Sequence, residues 1–319
     1  MLPTLVLAAG LGTRLDPLTR LVAKPAVPLG GRTLIEHLLM GLRHHGIRHV
    51  VVNLHHHPES ITAAVGDGAA LGLSVRYSWE PEVLGSAGGP RHALPLLDAD
   101  TFFIVNGDTL TDVAMAPLLG AHRRTRAAVT MAVVPNTAPE RYGGAVLDED
   151  HGVLGFVPKG RAAGSWHFVG VQAAQASVFA GLEDGLPAES VSGLYPRMIA
   201  DSAGCVRARP ADTPFDDVGT PADYLEVALR RRAAGPGDSA VEPGADVDPS
   251  AALERTVVWP GARVGAGARL TGCIVAGDVR VPPGFHARDA AIVPEHVARE
   301  GEDVERRDGV ALFPISRAR

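Results

Sequence analysis

Apolar residues fall in short blocks separated by glycine-rich turns through the first two thirds of the chain. Leu5-Val6-Leu7-Ala8-Ala9 is an unbroken apolar run, the pattern of a strand buried on both faces. It ends in a turn with glycines at Gly10 and Gly12. Leu34, Ile35, Leu38, Leu39 and Leu42 then share one face at helical spacing, between Thr33 and Gly46. Thr33 with Glu36 makes a capping box that serves orphan N–H groups at the helix start, and Gly46 ends the helix. His49 to Leu54 predicts a second buried strand. This β-α-β order implies a right-handed crossover and a parallel sheet.

Further strands are predicted at Ser74–Ser78, at Thr101 onward, at Ala127–Val134 and at Trp166–Ala173, with an edge strand at Cys205–Arg209. Ala145–Asp148 and Val153–Val157 read as a hairpin around Asp150-His151-Gly152. Helices are predicted over Val191–Ala200 and Pro221–Arg232, the latter capped by Thr220 with Asp223. Ala233 to Pro249, rich in Gly, Pro and Asp, reads as a linker. Beyond it Val258, Val264 and Leu270 recur every six residues, and Val275 and Val281 resume that spacing. Small residues between them predict a hexapeptide parallel β-helix of roughly two or three coils. The expected division is 1–232, a linker at 233–249, a β-helix at 250–295 and a charged tail at 296–319 that shows no pattern.

Composition narrows the classes. The chain has 319 residues, 46% hydrophobic and 21% charged, as in a soluble globular protein with a substantial core. Net charge is −6, and the one basic run, Arg230-Arg231-Arg232, decorates a helix C-terminus, so nucleic acid is not an expected partner. Two cysteines, Cys205 and Cys273, argue for neither a disulfide scaffold nor a zinc site and fit a reducing cytoplasm. No stretch approaches the ~18 apolar residues of a membrane span. The first apolar run is too short for a signal peptide, which again favours the cytoplasm.

The chemistry concentrates in Leu5 to Pro28, LVLAAGLGTRLDPLTRLVAKPAVP. A buried strand running into a glycine loop with two cations, Arg14 and Lys24, suits a triphosphate. Glycine lets backbone N–H groups approach an anion, and arginine supplies a planar donor fork. The pattern G-x-x-x-x-G-K-[ST] is absent, and G-x-G-x-x-G fails because Leu15 occupies its third glycine position. His55-His56-His57 invites a metal reading, but alternate side chains of an extended segment point apart, so a loop leading into a helix at Pro58 is expected. Asp108 follows the apolar strand TFFIVN at the carboxyl end of the sheet, where open α/β sheets bind ligands. Read alone, that Asp is a turn former, Ser86 is a helix N-cap and Lys159 is an exposed loop lysine.

The fuller pattern, L-A-A-G-x-G-T-R-L-x-P-L-T followed by K-P, resembles the signature of the sugar-1-phosphate nucleotidyltransferases, and four further motifs follow in the family's order. The resemblance covers roughly Leu2 to Arg232 and implies a Rossmann-like α/β fold, a mixed, mainly parallel sheet flanked by helices, here followed by a short left-handed parallel β-helix. It implies transfer of a nucleotidyl group from a nucleoside triphosphate to a sugar 1-phosphate. Leu7, Ala8, Ala9, Gly10, Gly12 and Thr13 would bind the nucleotide, with Gly85 and Ser86 of L-G-S-A-G and with Asn106 and Gly107. Glu80 would read the base edge; a carboxylate there accepts from both N1–H and N2–H of guanine, which tilts the expectation toward GTP.

Arg14 and Lys24 would act on the phosphates and Lys159 on the sugar phosphate, with Gly144 and Gly170 on the sugar side. Asp108 and Asp217 of D-x-G-T-P would hold Mg²⁺, with Asp216 a rival by one position. Pro158 stands where the family usually has Glu, a departure in the sugar-recognition motif. A mannose-1-phosphate-type guanylyl transfer is the first expectation. Uridylyl or thymidylyl transfer to another sugar phosphate (glucose, N-acetylmuramate or heptose type) and an inactive nucleotide-sugar-binding paralogue are the alternatives. The β-helix is expected to serve homo-oligomer contacts, and truncation near Gly235 to spare the chemistry.

Overall fold

The computed structural model describes residues 1–232 and 237–315. They cluster as two units: Met1–Gly10 with Leu38–Asp216, and Leu11–His37 with the chain from Asp217 onward. Residues 1–232, expected as one domain, contribute to both units. The glycine loop clusters with the C-terminal part of the chain.

In the first unit, strands β1 (Thr4–Leu7), β2 (His49–Leu54), β3 (Ser74–Trp79) and β4 (Thr101–Asn106) are parallel, in the order β4-β1-β2-β3. Leu5, Val6, Val52, Phe102 and Phe103 are fully buried, which explains why β1, β2 and β4 read as continuous apolar runs, whereas the outer β3, SVRYSW, alternates. The chain continues through β5 (Val129–Pro135), the hairpin β6 (Gly144–Leu147) and β7 (Val153–Val157), the long β8 (Trp166–Gln175) and β9 (Val206–Pro210). β8 runs antiparallel to β4 and β5, and β9 lies parallel to β5 at an edge, giving the expected mixed, mainly parallel sheet. Helices Gly85–Leu97, Ser177–Ala180 and Tyr195–Asp201 supply Ala87, Ala93, Phe179 and Tyr195 to the sheet's core. The helix expected over Val191–Ala200 is irregular: Ser190–Leu194 is a π-helical segment, and α geometry begins at Tyr195. Pro196, which has no N–H to donate, sits in the first α turn.

The helix Leu34–His44 carries its capping box as expected: Thr33 N donates to Glu36 Oε2 (2.7 Å), and Glu36 N donates to Thr33 Oγ1 (3.4 Å). Leu34, Ile35 and Leu39 are completely buried, each contributing roughly 1.5–3 kcal/mol. His55–His57 is a loop, as expected, and leads into the helix Pro58–Val65.

In the second unit, three sets of short parallel strands form the β-helix. One set steps Ala240↔Val257↔Ile274↔Ala291, a repeat of 17 residues. The others step Asp246↔Arg263↔Arg280 and Ala252↔Arg269↔His286. The six-residue spacing therefore slips once per coil, between Leu270 and Val275. Val258, Val264, Leu270, Val275 and Val281 all point into one buried core, as their spacing predicts. The first coil begins at Ala240, inside the stretch expected as a linker, because Gly and Pro serve the coil's corners as readily as a linker; residues 233–236 lie outside the described ones. The tail is also structured as far as Ile315. Val310–Pro314 pairs antiparallel with Ala290–Pro294 and in turn with Glu305–Arg307, covering the last coil's edge. Residues 316–319 lie outside the described ones.

Candidate active site

In the first unit, the expected nucleotide residues gather at the carboxyl ends of the central parallel strands. Leu7 is in register with Asn106, and Gly107 N donates to Leu7 O (2.9 Å), so the ends of β1 and β4 are tied together. Gly170 packs on this junction from β8. Its φ is +76°, and a Cβ there would stand 2.9 Å from three atoms of Asn106. Only glycine meets both demands. Asp108 follows, half-buried, with Thr109 Oγ1 donating to its Oδ1 (3.3 Å).

A second cluster lies beside it. Ala8 N donates to Asn53 Oδ1 (2.6 Å), and Asn53 Nδ2 donates to Glu80 Oε1 (2.7 Å). Leu84 N then donates to Glu80 Oε2 (2.9 Å). Glu80 is 0% exposed. Both of its oxygens therefore accept from the chain's own groups, so the side chain ties the Ala8 turn to the Leu84–Gly85 loop, where a base-reading role was expected. The reason is local: Asn53, the polar residue of β2, turns its amide into the same buried space.

Ser86 does not cap the helix Gly85–Leu97, which starts one residue earlier. Its hydroxyl donates to Glu189 Oε2 (2.6 Å) and accepts from Ser190 N (2.8 Å). Gly85 has φ +75°, and a Cβ there would meet Glu189 Oε1 at 2.6 Å. Gly10, exposed, ends the Leu7–Gly10 stretch, with Ala8 and Ala9 buried. Gly144 is buried because the Ser165 hydroxyl fills the space its side chain would take, a packing reason independent of any sugar. Lys159 is exposed in the turn Pro158–Arg161. Nearby, Tyr142, His167 and Phe215 stack, with ring centroids 4.3 Å (Tyr142–His167) and 5.0 Å (His167–Phe215) apart. Burial pushes the His167 pKa down, and the Arg141 charge adds to it, against a hydrogen bond with Gly143 O.

In the second unit, the glycine loop closes on itself. Gly12 has φ +62°, and a Cβ there would stand 2.9 Å from Thr19 Cγ2 and 3.0 Å from Lys24 Cβ. Thr19 Oγ1 donates to Gly12 O (3.2 Å). Lys24 is only 7% exposed, whereas Thr13 and Arg14 are exposed on the short helical turn Thr13–Leu15. Buried Gly219, of the D-x-G-T-P segment, brings two expected residues together. A Cβ on it would lie 3.3 Å from Asp217 Oδ2 and 3.4 Å from Arg14 Nη1. Thr220 caps the following helix, accepting from Asp223 N (3.2 Å).

Asn53 and Glu189 escaped the sequence reading. Asn53 is the lone amide in an apolar strand, which is a usable signal; Glu189 sits in a loop with none. Among the described residues, no three His, Cys, Asp or Glu side chains cluster as a metal site. Asp108 and Asp217, half-buried carboxylates, are nonetheless hard oxygen donors of the kind Mg²⁺ takes in ones and twos together with substrate phosphates. Each carboxylate, taken by itself, is chemically suited to that ion.

Comparison with known proteins gives a concordant picture. The family model described as Nucleotidyl transferase matches residues 3–233. A mannose-1-phosphate guanylyltransferase of Mycobacterium tuberculosis is 33% identical over 290 residues, covering 88% of this chain and 81% of that protein. A UTP–glucose-1-phosphate uridylyltransferase of Synechocystis is 30% identical over 239 residues, covering 70% of this chain and 61% of its own length. Among solved structures, HddC of Yersinia pseudotuberculosis, complexed with GMP-PN, aligns with a TM-score of 0.64 at 23% identity. That alignment covers 72% of this chain and 99% of HddC, a likeness of fold.

Proposed function

The chain belongs to the nucleotidyl transferase family and transfers nucleotidyl groups to sugar 1-phosphates, and on that premise we propose that it joins GTP to mannose 1-phosphate, giving GDP-mannose and pyrophosphate. The Mycobacterium relative supports this choice of base and sugar. The observation that carries the mechanism is the approach of Arg14 and Asp217 across Gly219. A guanidinium for phosphate oxygens and a carboxylate for a cation, side by side, suit a metal-bound triphosphate.

The sugar phosphate oxygen attacks the α-phosphorus in line, and pyrophosphate leaves. Two anions have to meet, so charge neutralisation and positioning dominate, and no protein nucleophile is needed. Arg14 holds the triphosphate and stabilises the departing pyrophosphate. Lys24, kept in place by its contact with Gly12, neutralises charge near the reacting phosphorus, and Lys159 takes the sugar phosphate. Asp108 and Asp217 would hold Mg²⁺, which when bound would offset the negative charge of both substrates. Glu80, through Asn53 and Leu84, keeps the Ala8 turn and the Gly85 loop in place for the nucleotide.

The Synechocystis relative supports a second reading, UTP with glucose 1-phosphate. Pyrophosphate release measured for GTP and UTP against mannose and glucose 1-phosphates separates the two. We place the protein in the cytoplasm on its two free cysteines, one of which, Cys273, is pushed up to about 11 by burial. The β-helix is proposed to carry homo-oligomer contacts.

A further inference from the structure

We propose that the C-terminal segment, through Glu302 and Phe313, grips Arg20 and thereby positions the loop that carries Arg14 and Lys24. The segment then takes part in nucleotide binding as well as in assembly. This inference rests on the functional reading above for its kinetic consequence.

The grip is built from several independent contacts, all within one compact unit. Arg20 Nη2 donates to Glu302 Oε1 (2.6 Å) and Nη1 to Glu302 Oε2 (2.7 Å), a bidentate pair. Nη1 also donates to Val297 O (3.1 Å), and Nε to Asp16 Oδ1 (2.7 Å). The guanidinium carbon lies 5.0 Å from the centroid of the Phe313 ring. The Arg20 side chain is only 12% exposed, so the fork is largely removed from competing water. The Glu302 carboxyl is pulled down to about 2, chiefly by the Arg20 hydrogen bonds. One side chain of the loop thus bonds the loop itself, at Asp16, and the tail, at Val297 and Glu302.

A second anchor holds the other end of the same loop. Glu242 is 3% exposed and accepts from Gly30 N (2.8 Å) and Gly31 N (2.6 Å). Tyr224 OH donates to Pro28 O (2.7 Å) and accepts from Trp259 Nε1 (2.7 Å). Leu21 packs against Gly277 of the β-helix, its methyl carbons 3.2 Å from where a Cβ on that glycine would lie. Lys24 lies midway between the anchors at Arg20 and Pro28, and Arg14 stands six residues before Arg20. Pinning a segment at both ends removes most of the conformations it would otherwise sample, and with them the entropy cost of ordering it on a ligand. On this proposal, truncation near Gly235 impairs nucleotide binding, against the expectation that it spares the chemistry. Removing the tail takes Val297, Glu302 and Phe313 from the Arg20 side chain and leaves it Asp16.

The test uses the full chain with Glu302→Ala, Phe313→Ala, Arg20→Lys and, as a neighbouring control, Glu300→Ala at an exposed position. Deuterium uptake is followed in peptides covering 11–28 and 101–106 without substrates, and pyrophosphate release is measured against nucleotide and sugar phosphate separately. Glu302→Ala should raise uptake in 11–28 while leaving 101–106 unchanged. It should raise the nucleotide KM roughly tenfold and leave the sugar phosphate KM within about twofold. Arg20→Lys should fall between it and wild type, since lysine keeps the charge and loses the fork. Glu300→Ala should match wild type. Uptake in 11–28 unchanged in Glu302→Ala, uptake rising equally along the whole chain, or an unchanged nucleotide KM would each overturn the proposal. A wild-type protein that releases no pyrophosphate with any substrate pair would sink the functional reading alone. The uptake comparison would then judge the grip by itself, greater exchange confined to 11–28 upholding it and equal exchange refuting it.

Discussion

Asn53 donates to Glu80 across 2.7 Å in space closed to solvent, and Asn53 also takes the N–H of Ala8 while Glu80 takes that of Leu84. Two nucleotide-side turns, 76 residues apart in sequence, are joined by one amide and one carboxylate. Asn53→Ala leaves a buried carboxylate oxygen and a buried N–H without partners, at a cost of about 2–4 kcal/mol. Glu80→Gln sets an amide N–H₂ against either Asn53 Nδ2 or Leu84 N, because Asn53 cannot flip without losing Ala8. Thermal melting of both variants should show clear destabilisation, with a raised nucleotide KM in the folded fraction. Wild-type stability in both would contradict the linkage.

Gly12→Ala tests the closure of the signature loop. A Cβ there meets Thr19 at 2.9 Å and Lys24 at 3.0 Å, at a φ of +62° that side chains resist. The strain is local, on the order of 1–3 kcal/mol, and displaces the lysine assigned to the phosphates. Circular dichroism should be unchanged while kcat/KM falls at least about tenfold, since an ångström of misplacement suffices for such losses. An alanine variant with full activity would refute the packing argument.

Asp108→Asn keeps the shape of the β4 terminus and removes a negative charge from the proposed Mg²⁺ position. Turnover should drop by roughly 10²–10³ or more, and the Mg²⁺ concentration for half-maximal rate should rise. Near-normal turnover at the wild-type Mg²⁺ requirement would remove Asp108 from the site.

The Glu302 carboxyl, held at about 2 against an ordinary 4.5, makes a signed prediction about acid. A carboxylate whose folded pKa is depressed stabilises fully above its unfolded value, and the contribution fades as pH falls through the folded one. The window therefore runs from about pH 4.5 down to about 2. Glu302→Gln should melt several degrees below wild type at pH 7, about 2–4 °C for each kcal/mol lost. That gap should close as the pH approaches 2. A gap of constant size would assign the loss to packing instead of charge.

Some of this was legible in the residues. β2 was readable to its ends because its apolar run has no competing pattern, and the inward valines of the β-helix announced themselves through spacing. Thr33 with Glu36, and Thr220 with Asp223, form the caps their spacing predicts. Other features depend on contacts that no local pattern encodes. Arg20 and Glu302 are 282 residues apart, and a charged tail carries no period to betray its partner. Ala240 was read as linker because Gly and Pro mark coil corners and linkers alike. Glu80 was recognisable by position, but the direction of its carboxylate is set by Asn53, a strand residue with nothing unusual around it but apolarity.

The most direct test of the central assignment is pyrophosphate release with Mg²⁺, crossing GTP, UTP, dTTP, CTP and ATP with a panel of sugar 1-phosphates. The account predicts release that requires both substrates, fastest with GTP and mannose 1-phosphate. A folded protein that releases none with any pair would contradict it.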